Sequence, residues 1–264
     1  MGEENSYYER VDEHRFAPTE HVGGAWRDDE QHFSPLGGLI VHALDSHVAR
    51  RPADGLVVGR LSFDILGQIP RDVCEITVTT LRPGRTIELL EATVSIGGRA
   101  IVLARAWRLS ASETSHVAGD TLPRLPPPEA CQSRDLTAVW NGGFIRSLDV
   151  RTVTTPEPGR AGGWVRSALA VVAGEPVSAQ ARFLTLVDTA NGIAARRPPT
   201  TWMFPNVDLS IHLFRTPRGA WTGLDTTVSW GPGGLGVTST VLHDLDGPVG
   251  FAQQSLTLRP LPGS

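Results

Sequence analysis

Two polar side chains occupy positions that the sequence pattern does not favour, and both types can handle a water molecule. Asp188 lies in the middle of the helix-like segment 181–195, too late to cap its N-terminus, and aspartate is a poor residue in a helix interior. Gln254 interrupts an otherwise apolar strand pattern near the C-terminus. A carboxylate in an apolar cleft gains a raised pKa and becomes a general base near neutral pH. The pattern therefore favours activation of a water molecule; the alternative is that both side chains face solvent.

Motifs for other kinds of chemistry do not fit their surroundings. The glycine-rich segment 231–236 (GPGGLG) precedes a strand and contains proline, so it is interpreted as a hairpin loop and not as a dinucleotide site. His42 and His47 are five residues apart on a helix and do not share a face. Cys74 and Cys131 form no CxxC motif. The sequence therefore predicts no metal site and no cofactor.

The chain repeats one order of elements. An amphipathic helix is predicted at 36–50, with Ser34 as its N-cap and Pro35 in its first turn, and a second helix at 181–195. Arg-Arg-Pro follows each helix, and then a strand, LSFDILGQIP in the first copy and DLSIHLFRTP in the second. Each copy continues into strands with alternating apolar residues.

This duplication predicts an α+β protein made of two tandem units. The expected boundaries are residues 1–120 for the N-terminal unit, 121–137 for a Pro-rich linker and 138–264 for the C-terminal unit. Pairing the units about a pseudo-twofold axis hides the sheet edge and face that each leaves exposed.

Bulk properties limit the classes of function. The net charge is −4 and the chain has no basic run, which argues against nucleic acid binding. No apolar run reaches about 18 residues, and the acidic start is not a secretory signal, so a cytoplasmic protein without a membrane span is predicted. A homo-oligomer is compatible with these features.

Four segments resemble the acyl-CoA thioesterase II-like family, in particular its shorter actinobacterial members. They are SPLGGLIVHAL, LTLVDTANGI, NVDLSIHLFR and AQQSLTLRP, and the similarity extends from about residue 14 to residue 260. The resemblance implies a double hotdog fold, in which two tandem hotdog units each have a long central helix wrapped by an antiparallel sheet.

The resemblance also implies a catalytic set. In that family an Asp, a Thr or Ser, and a Gln bind and activate a water molecule. Asp188 matches the Asp, and Gln254 matches the Gln, with Gln253 beside it if the register slips by one. Asn206 occupies the Thr or Ser position, and Leu209 replaces the His that usually comes directly after Asp208.

The implied activity is hydrolysis of an acyl-CoA thioester in lipid metabolism. A glycine pair, Gly37 and Gly38, is predicted in the first turn of the first helix, where free backbone N–H groups can bind the substrate oxyanion. Two alternatives remain. One is an acyl-CoA-binding protein without catalysis; the other is a hotdog-fold hydratase or dehydratase, whose Asp and His lie about five residues apart, a pattern that does not follow Asp188.

Overall fold

The computed structural model describes residues 5–27 and 29–261. It confirms an α+β architecture in which strands predominate and helices are few. The elements of the first half are β1 (Ser6–Arg10), β2 (Arg15–Pro18), α1 (Phe33–Ala49), β3 (Leu56–Ile65), β4 (Cys74–Arg82), β5 (Ile87–Ile96) and β6 (Arg99–Ser110).

The second half begins after an extended connection. Its elements are β7 (Gln132–Ser133), α2 (Gly143–Arg146), β8 (Leu148–Thr152), β9 (Arg160–Ser167), β10 (Ala170–Val172), α3 (Ala179–Leu184), α4 (Ala190–Ile193), β11 (Trp202–Met203), β12 (Asp208–Leu213), β13 (Thr222–Trp230), β14 (Leu235–Asp244), β15 (Gly247–Thr257) and β16 (Arg259–Pro260). Among the described residues no helix has the length and apolarity that a membrane crossing requires.

Within residues 5–27 and 29–261, fourteen strands form one sheet that continues across both halves. Its order is β10-β1-β2-β4-β5-β6-β3-β12-β15-β14-β13-β9-β8-β7, and every neighbouring pair is antiparallel except β1 and β10. The halves meet where β3 pairs with β12, with Ser62 opposite Ser210. Outward from this pair, β6, β5 and β4 on one side correspond to β15, β14 and β13 on the other. This mirrored order is that of two repeats related by a pseudo-twofold axis.

The first helix starts earlier than the sequence indicated. We expected Ser34 to be the N-cap, but α1 begins at Phe33 and His32 is its N-cap residue. The cause is local, because the His32 ring nitrogen Nδ1 accepts a hydrogen bond from the backbone N–H of Ser34 at 3.1 Å. The helix then continues for 17 residues and packs on β4, β5 and α3.

The predicted continuous helix at 181–195 is wrong. The segment divides into α3, a short 3₁₀ turn at Val187–Thr189 and α4. Five of the eight residues from 185 to 192 have low helix propensity, namely Thr185, Asp188, Thr189, Asn191 and Gly192. Tertiary contacts therefore determine the backbone conformation of this segment. The break brings Asp188 onto a turn, where its side chain is 7% exposed.

Two connections have defined structures. The segment 231–236 forms the predicted hairpin between β13 and β14, with the N–H of Gly231 donating to the carbonyl of Leu235. In the Pro-rich connection 121–137, the carbonyl of Pro126 accepts a hydrogen bond from the Trp164 indole at 2.8 Å. The connection is therefore attached to the second half, and the expected unit boundaries stay a prediction.

Candidate active site

A cavity of about 540 Å³ lies between the two halves of the molecule. Most of its wall is apolar or aromatic, contributed by Trp26, Phe33, Ile65, Ile69, Leu136, Trp140, Ile145, Met203 and Val207. A small polar group of side chains lines the rest, including His32, Asp188 and Asn206. Apolar walls with a few converging polar groups are typical of small-molecule sites. Among the residues that the structure describes, no three His, Cys, Asp or Glu side chains are arranged to hold a metal ion.

Asp188 is the only carboxylate buried in this polar group within the described parts of the chain. Its two oxygen atoms have different surroundings. Oδ1 accepts two hydrogen bonds, from the amide of Asn206 at 2.8 Å and from the amide of Gln254 at 2.7 Å. Oδ2 accepts no hydrogen bond from a described residue and lies 3.7 Å from Nδ1 of His32. The carboxylate is therefore anchored by one oxygen and free at the other.

Asn206 reaches the carboxylate from the stretch just before β12. Its Nδ2 donates one hydrogen bond to Asp188 and a second, at 3.1 Å, to the carbonyl of Asp208. An amide nitrogen carries two protons, so both donors of Asn206 are used. These two hydrogen bonds position the Asp188 carboxylate, and the expected contact of Asn206 with a water molecule stays a prediction.

Gln254 lies on β15, where burial alternates along the strand. Gln253 is exposed and Gln254 is 2% exposed, so the register places Gln254 and not Gln253 on the inner face. Its Nε2 donates to Asp188, while its Oε1 is buried and has no partner among the described residues. A buried acceptor without a partner is uncommon in a folded protein. It is available to a water molecule or a ligand beside Asp188.

Burial sets the ionisation of Asp188 and His32, which lie next to each other in the cavity wall. Removal from water raises the pKa of Asp188 from 3.8 to about 6, against the lowering effect of the hydrogen bonds from Asn206 and Gln254. Burial also lowers the pKa of His32 from 6.5 to about 4. Above about pH 6 the site therefore holds an ionised carboxylate beside a neutral imidazole, and the contact between them is not an ion pair.

The glycine pair does not line the cavity, contrary to the expectation of an oxyanion site. Because α1 begins at Phe33, Gly37 and Gly38 lie in its second turn, where backbone N–H groups bond to the preceding turn. Gly38 faces α3 so closely that a Cβ atom there overlaps the side chain of Thr185. Its small size serves helix packing.

Sequence reasoning missed His32, which lines the cavity beside Asp188. Its ring lies on that of Phe144 from the second half, with centroids 4.5 Å apart. The available signal was a histidine directly before the Phe-Ser-Pro start of a helix, next to the glycine pair. It was hidden because Ser34 is a better N-cap on statistical grounds.

Family models match most of this chain. The acyl-CoA thioesterase N-terminal domain matches residues 23–109, and the acyl-CoA thioesterase C-terminal domain matches residues 128–258. The chain therefore belongs to the acyl-CoA thioesterase family. No curated protein sequence matches it significantly.

Solved structures share its fold. A putative thioesterase from Novosphingobium aromaticivorans has a TM-score of 0.71 at 21% identity, covering 96% of this chain and 98% of that one. A tesB protein from Mycobacterium avium subspecies paratuberculosis has a TM-score of 0.71 at 18% identity, covering 96% of each chain. A conserved protein with a hot dog fold from Alicyclobacillus acidocaldarius has a TM-score of 0.74 at 14% identity, covering 97% of each. The chain thus has the hotdog fold.

Proposed function

We propose that this protein hydrolyses acyl-CoA thioesters by general-base activation of water, with Asp188 as the base. The observation that carries the proposal is the asymmetric carboxylate of Asp188, a residue of the cavity wall. Its Oδ1 is held by two amides, while its Oδ2 accepts no hydrogen bond from a described residue. The family supports the substrate class, since both matching models describe acyl-CoA thioesterase domains. The alternative of a binding protein without catalysis gives no role to a buried carboxylate at the cavity wall that is held by two amides through a single oxygen.

The first step is attack by water on the thioester carbon. A water molecule at Asp188 Oδ2 donates one proton to this oxygen and the other to the unpartnered Oε1 of Gln254. These two acceptors direct a lone pair of the water oxygen toward the substrate. As the C–O bond forms, one proton moves to Oδ2 and the carbonyl oxygen gains negative charge. General-base assistance of this kind contributes roughly 10²–10⁴ in rate.

The second step breaks the carbon–sulfur bond. The tetrahedral intermediate reforms its carbonyl and expels the CoA sulfur as thiolate, which takes the proton from Asp188. The products are a carboxylic acid and CoA thiol, and the Asp188 carboxylate is regenerated. Asn206 holds the carboxylate in place throughout, since its amide bridges Asp188 and the backbone before β12.

The test measures release of free thiol from a panel of acyl-CoAs of increasing chain length. Asp188→Asn preserves the shape and the acceptor oxygen but removes the base, so turnover is expected to fall by about 10²–10⁴ with little change in substrate affinity. Cys131 is partly exposed and can react with a thiol reagent, so an enzyme blank is subtracted.

The matched control is Asp246→Asn, which makes the same change in an exposed turn between β14 and β15. Its turnover is expected to stay within about twofold of the unsubstituted protein, as for surface changes in general. Binding of acyl-CoA without thiol release at any chain length would establish a binding protein instead. Turnover that persists in Asp188→Asn would assign the base to another residue.

A further inference from the structure

We infer that His32 donates its Nε2–H to the thioester carbonyl oxygen and stabilises the oxyanion that forms there. This inference rests on the proposed hydrolysis, which requires a donor for the developing negative charge. It replaces the glycine pair, which lies in the second turn of α1 and away from the cavity. His32 belongs to the cavity wall and stands beside the carboxylate.

The hydrogen bond that caps α1 fixes which ring nitrogen carries the proton. Nδ1 of His32 accepts the backbone N–H of Ser34 at 3.1 Å, so Nδ1 has no proton of its own. In a neutral imidazole the proton must then lie on Nε2. The helix start therefore selects the tautomer that presents an N–H donor at the far end of the ring.

The environment keeps this donor uncharged while the base is ionised. Burial lowers the pKa of His32 to about 4, whereas that of Asp188 is about 6. At a pH above both pKa values the imidazole is neutral. It therefore does not form an imidazolium that would neutralise the carboxylate. Asp188 is the charged group in contact with the ring, and Phe144 on the other side is apolar. A neutral imidazole N–H of this kind can polarise a carbonyl.

The position of the ring is fixed from several directions. The His32 backbone N–H donates to the carbonyl of Val22 at 2.8 Å, and the ring packs on Phe144. Gln31, the preceding residue, is held by Tyr8 and by the carbonyl of Pro70. Nε2 has no hydrogen-bond partner among the described residues, whereas Nδ1 is used by the cap of α1. A donor held in place before the reaction needs no reorganisation when charge appears on the substrate.

The distances are compatible with simultaneous use of base and donor. Nδ1 of His32 lies 3.7 Å from Asp188 Oδ2, so Nε2 is displaced from the base by the width of the imidazole. In the inferred arrangement, the thioester carbon meets a water on Oδ2 and the carbonyl oxygen accepts a hydrogen bond from this N–H. The water thus lies on the Nδ1 side of the ring, near Asp188, and the oxyanion lies on the Nε2 side.

The first test compares two substitutions that separate capping from catalysis. His32→Asn retains a good N-cap acceptor but has no N–H at the position of Nε2. Its turnover is expected to fall by about 10²–10³, the size of a lost oxyanion donor, with substrate affinity nearly unchanged. His32→Gln returns an amide N–H near that position and should recover part of the loss. His14→Asn, at an exposed histidine, is the control and should leave turnover unchanged.

The second test does not depend on turnover. With ¹⁵N-labelled histidine, the His32 resonances should report the Nε2–H tautomer, and Nε2 should shift when a non-hydrolysable CoA ketone analogue binds to the Asp188→Asn protein. An unchanged Nε2 resonance on binding would overturn the inference. Full activity of His32→Asn would also overturn the inference. If hydrolysis still requires Asp188 in that case, the proposed function is retained. Absence of thiol release by the unsubstituted protein contradicts the proposed function, and the Nε2 shift alone then decides whether His32 contacts the carbonyl.

Discussion

At the scale of single residues, the candidate site depends on a balance between burial and hydrogen bonding at Asp188. Two amides stabilise its ionised form, yet burial has the larger effect and the pKa rises to about 6. Oδ1 uses its lone pairs on Asn206 and Gln254, which leaves Oδ2 as the basic atom. A single carboxylate can therefore be firmly held and still reactive.

This balance predicts a cost in stability. Because the folded pKa of Asp188 exceeds its unfolded value of 3.8, the folded state binds the proton more tightly, and stability falls as pH rises from about 4 through 6. At 1.36 kcal/mol per pH unit the cost above pH 6 is about 3 kcal/mol. Asp188→Asn lacks this titration. Its free energy of unfolding, relative to the unsubstituted protein, should therefore increase by about 3 kcal/mol between about pH 4 and about pH 8.

Urea unfolding of both proteins at several pH values measures this difference. Asp246→Asn serves again as the control, since it removes an exposed carboxylate in a turn. A difference between Asp188→Asn and the unsubstituted protein that does not change with pH would show that the Asp188 pKa is not raised by folding.

The sequence revealed some of these residues and concealed others for physical reasons. Asp188 and Gln254 were detectable because each conflicts with the local pattern, an uncapped Asp in a helix-like segment and a Gln in an apolar strand. Asn206 conflicts with nothing locally and was identified only through the family resemblance. His32 was missed because its role depends on a ring nitrogen that caps a helix and on a contact with Phe144, more than 100 residues away.

At the scale of elements, the two helical segments of the repeat have diverged. In the first half α1 is continuous, while in the second half a 3₁₀ turn separates α3 from α4. The alternating apolar residues predicted strands in each copy, and β4, β5 and β6 show this alternation in their burial. The helix break was not predictable from periodicity, because the apolar positions of 181–195 fit a continuous helix. Tertiary contacts of Asp188 and Asn191 override that pattern, with Asn191 donating to the carbonyl of Phe204.

The close contact of α1 with α3 gives a prediction for the glycine pair. Gly38→Ala introduces a Cβ that overlaps Thr185 and approaches the carbonyl of Ala181, so the free energy of unfolding should fall by about 1–3 kcal/mol despite the better helix propensity of alanine. Gly37→Ala is the matched control, because its Cβ meets only ring carbons of Phe33 at 3.5 and 3.6 Å. This neighbouring change should be neutral or stabilising by up to about 1 kcal/mol.

Thermal or urea unfolding checks the pair, and activity adds a second readout. Gly38→Ala combined with Thr185→Ala should recover part of the lost stability, since the overlapping oxygen is removed. Gly37→Ala should retain turnover, because Gly37 does not line the cavity. A large loss of turnover in the stable Gly37→Ala protein would support the original expectation that this glycine binds the oxyanion.

At the scale of the whole molecule, the two halves share both their sheet and their core. The β3–β12 pair joins the sheets, and buried residues of both halves form one hydrophobic cluster. The cavity takes its walls from both halves, with His32 from the first and Asp188 and Asn206 from the second. Gln254, also from the second half, donates a hydrogen bond to Asp188. The candidate site is therefore composite, since its lining residues come from both halves.

This shared core predicts that the chain unfolds in one cooperative transition, although its length would allow two. Phe63 on β3 and Ile211 on β12 are 1% and 0% exposed and lie on the two strands that join the halves. Phe63→Ala and Ile211→Ala should each lower the free energy of unfolding by about 2–5 kcal/mol. Both should shift the same transition when it is followed by far-ultraviolet circular dichroism and by tryptophan fluorescence.

Thr77→Ala, at an exposed position of β4, is the control and should change stability by less than about 0.5 kcal/mol. Two separate transitions, each sensitive to only one of the core substitutions, would mean that the repeats fold as independent domains and that the composite site forms by their later association.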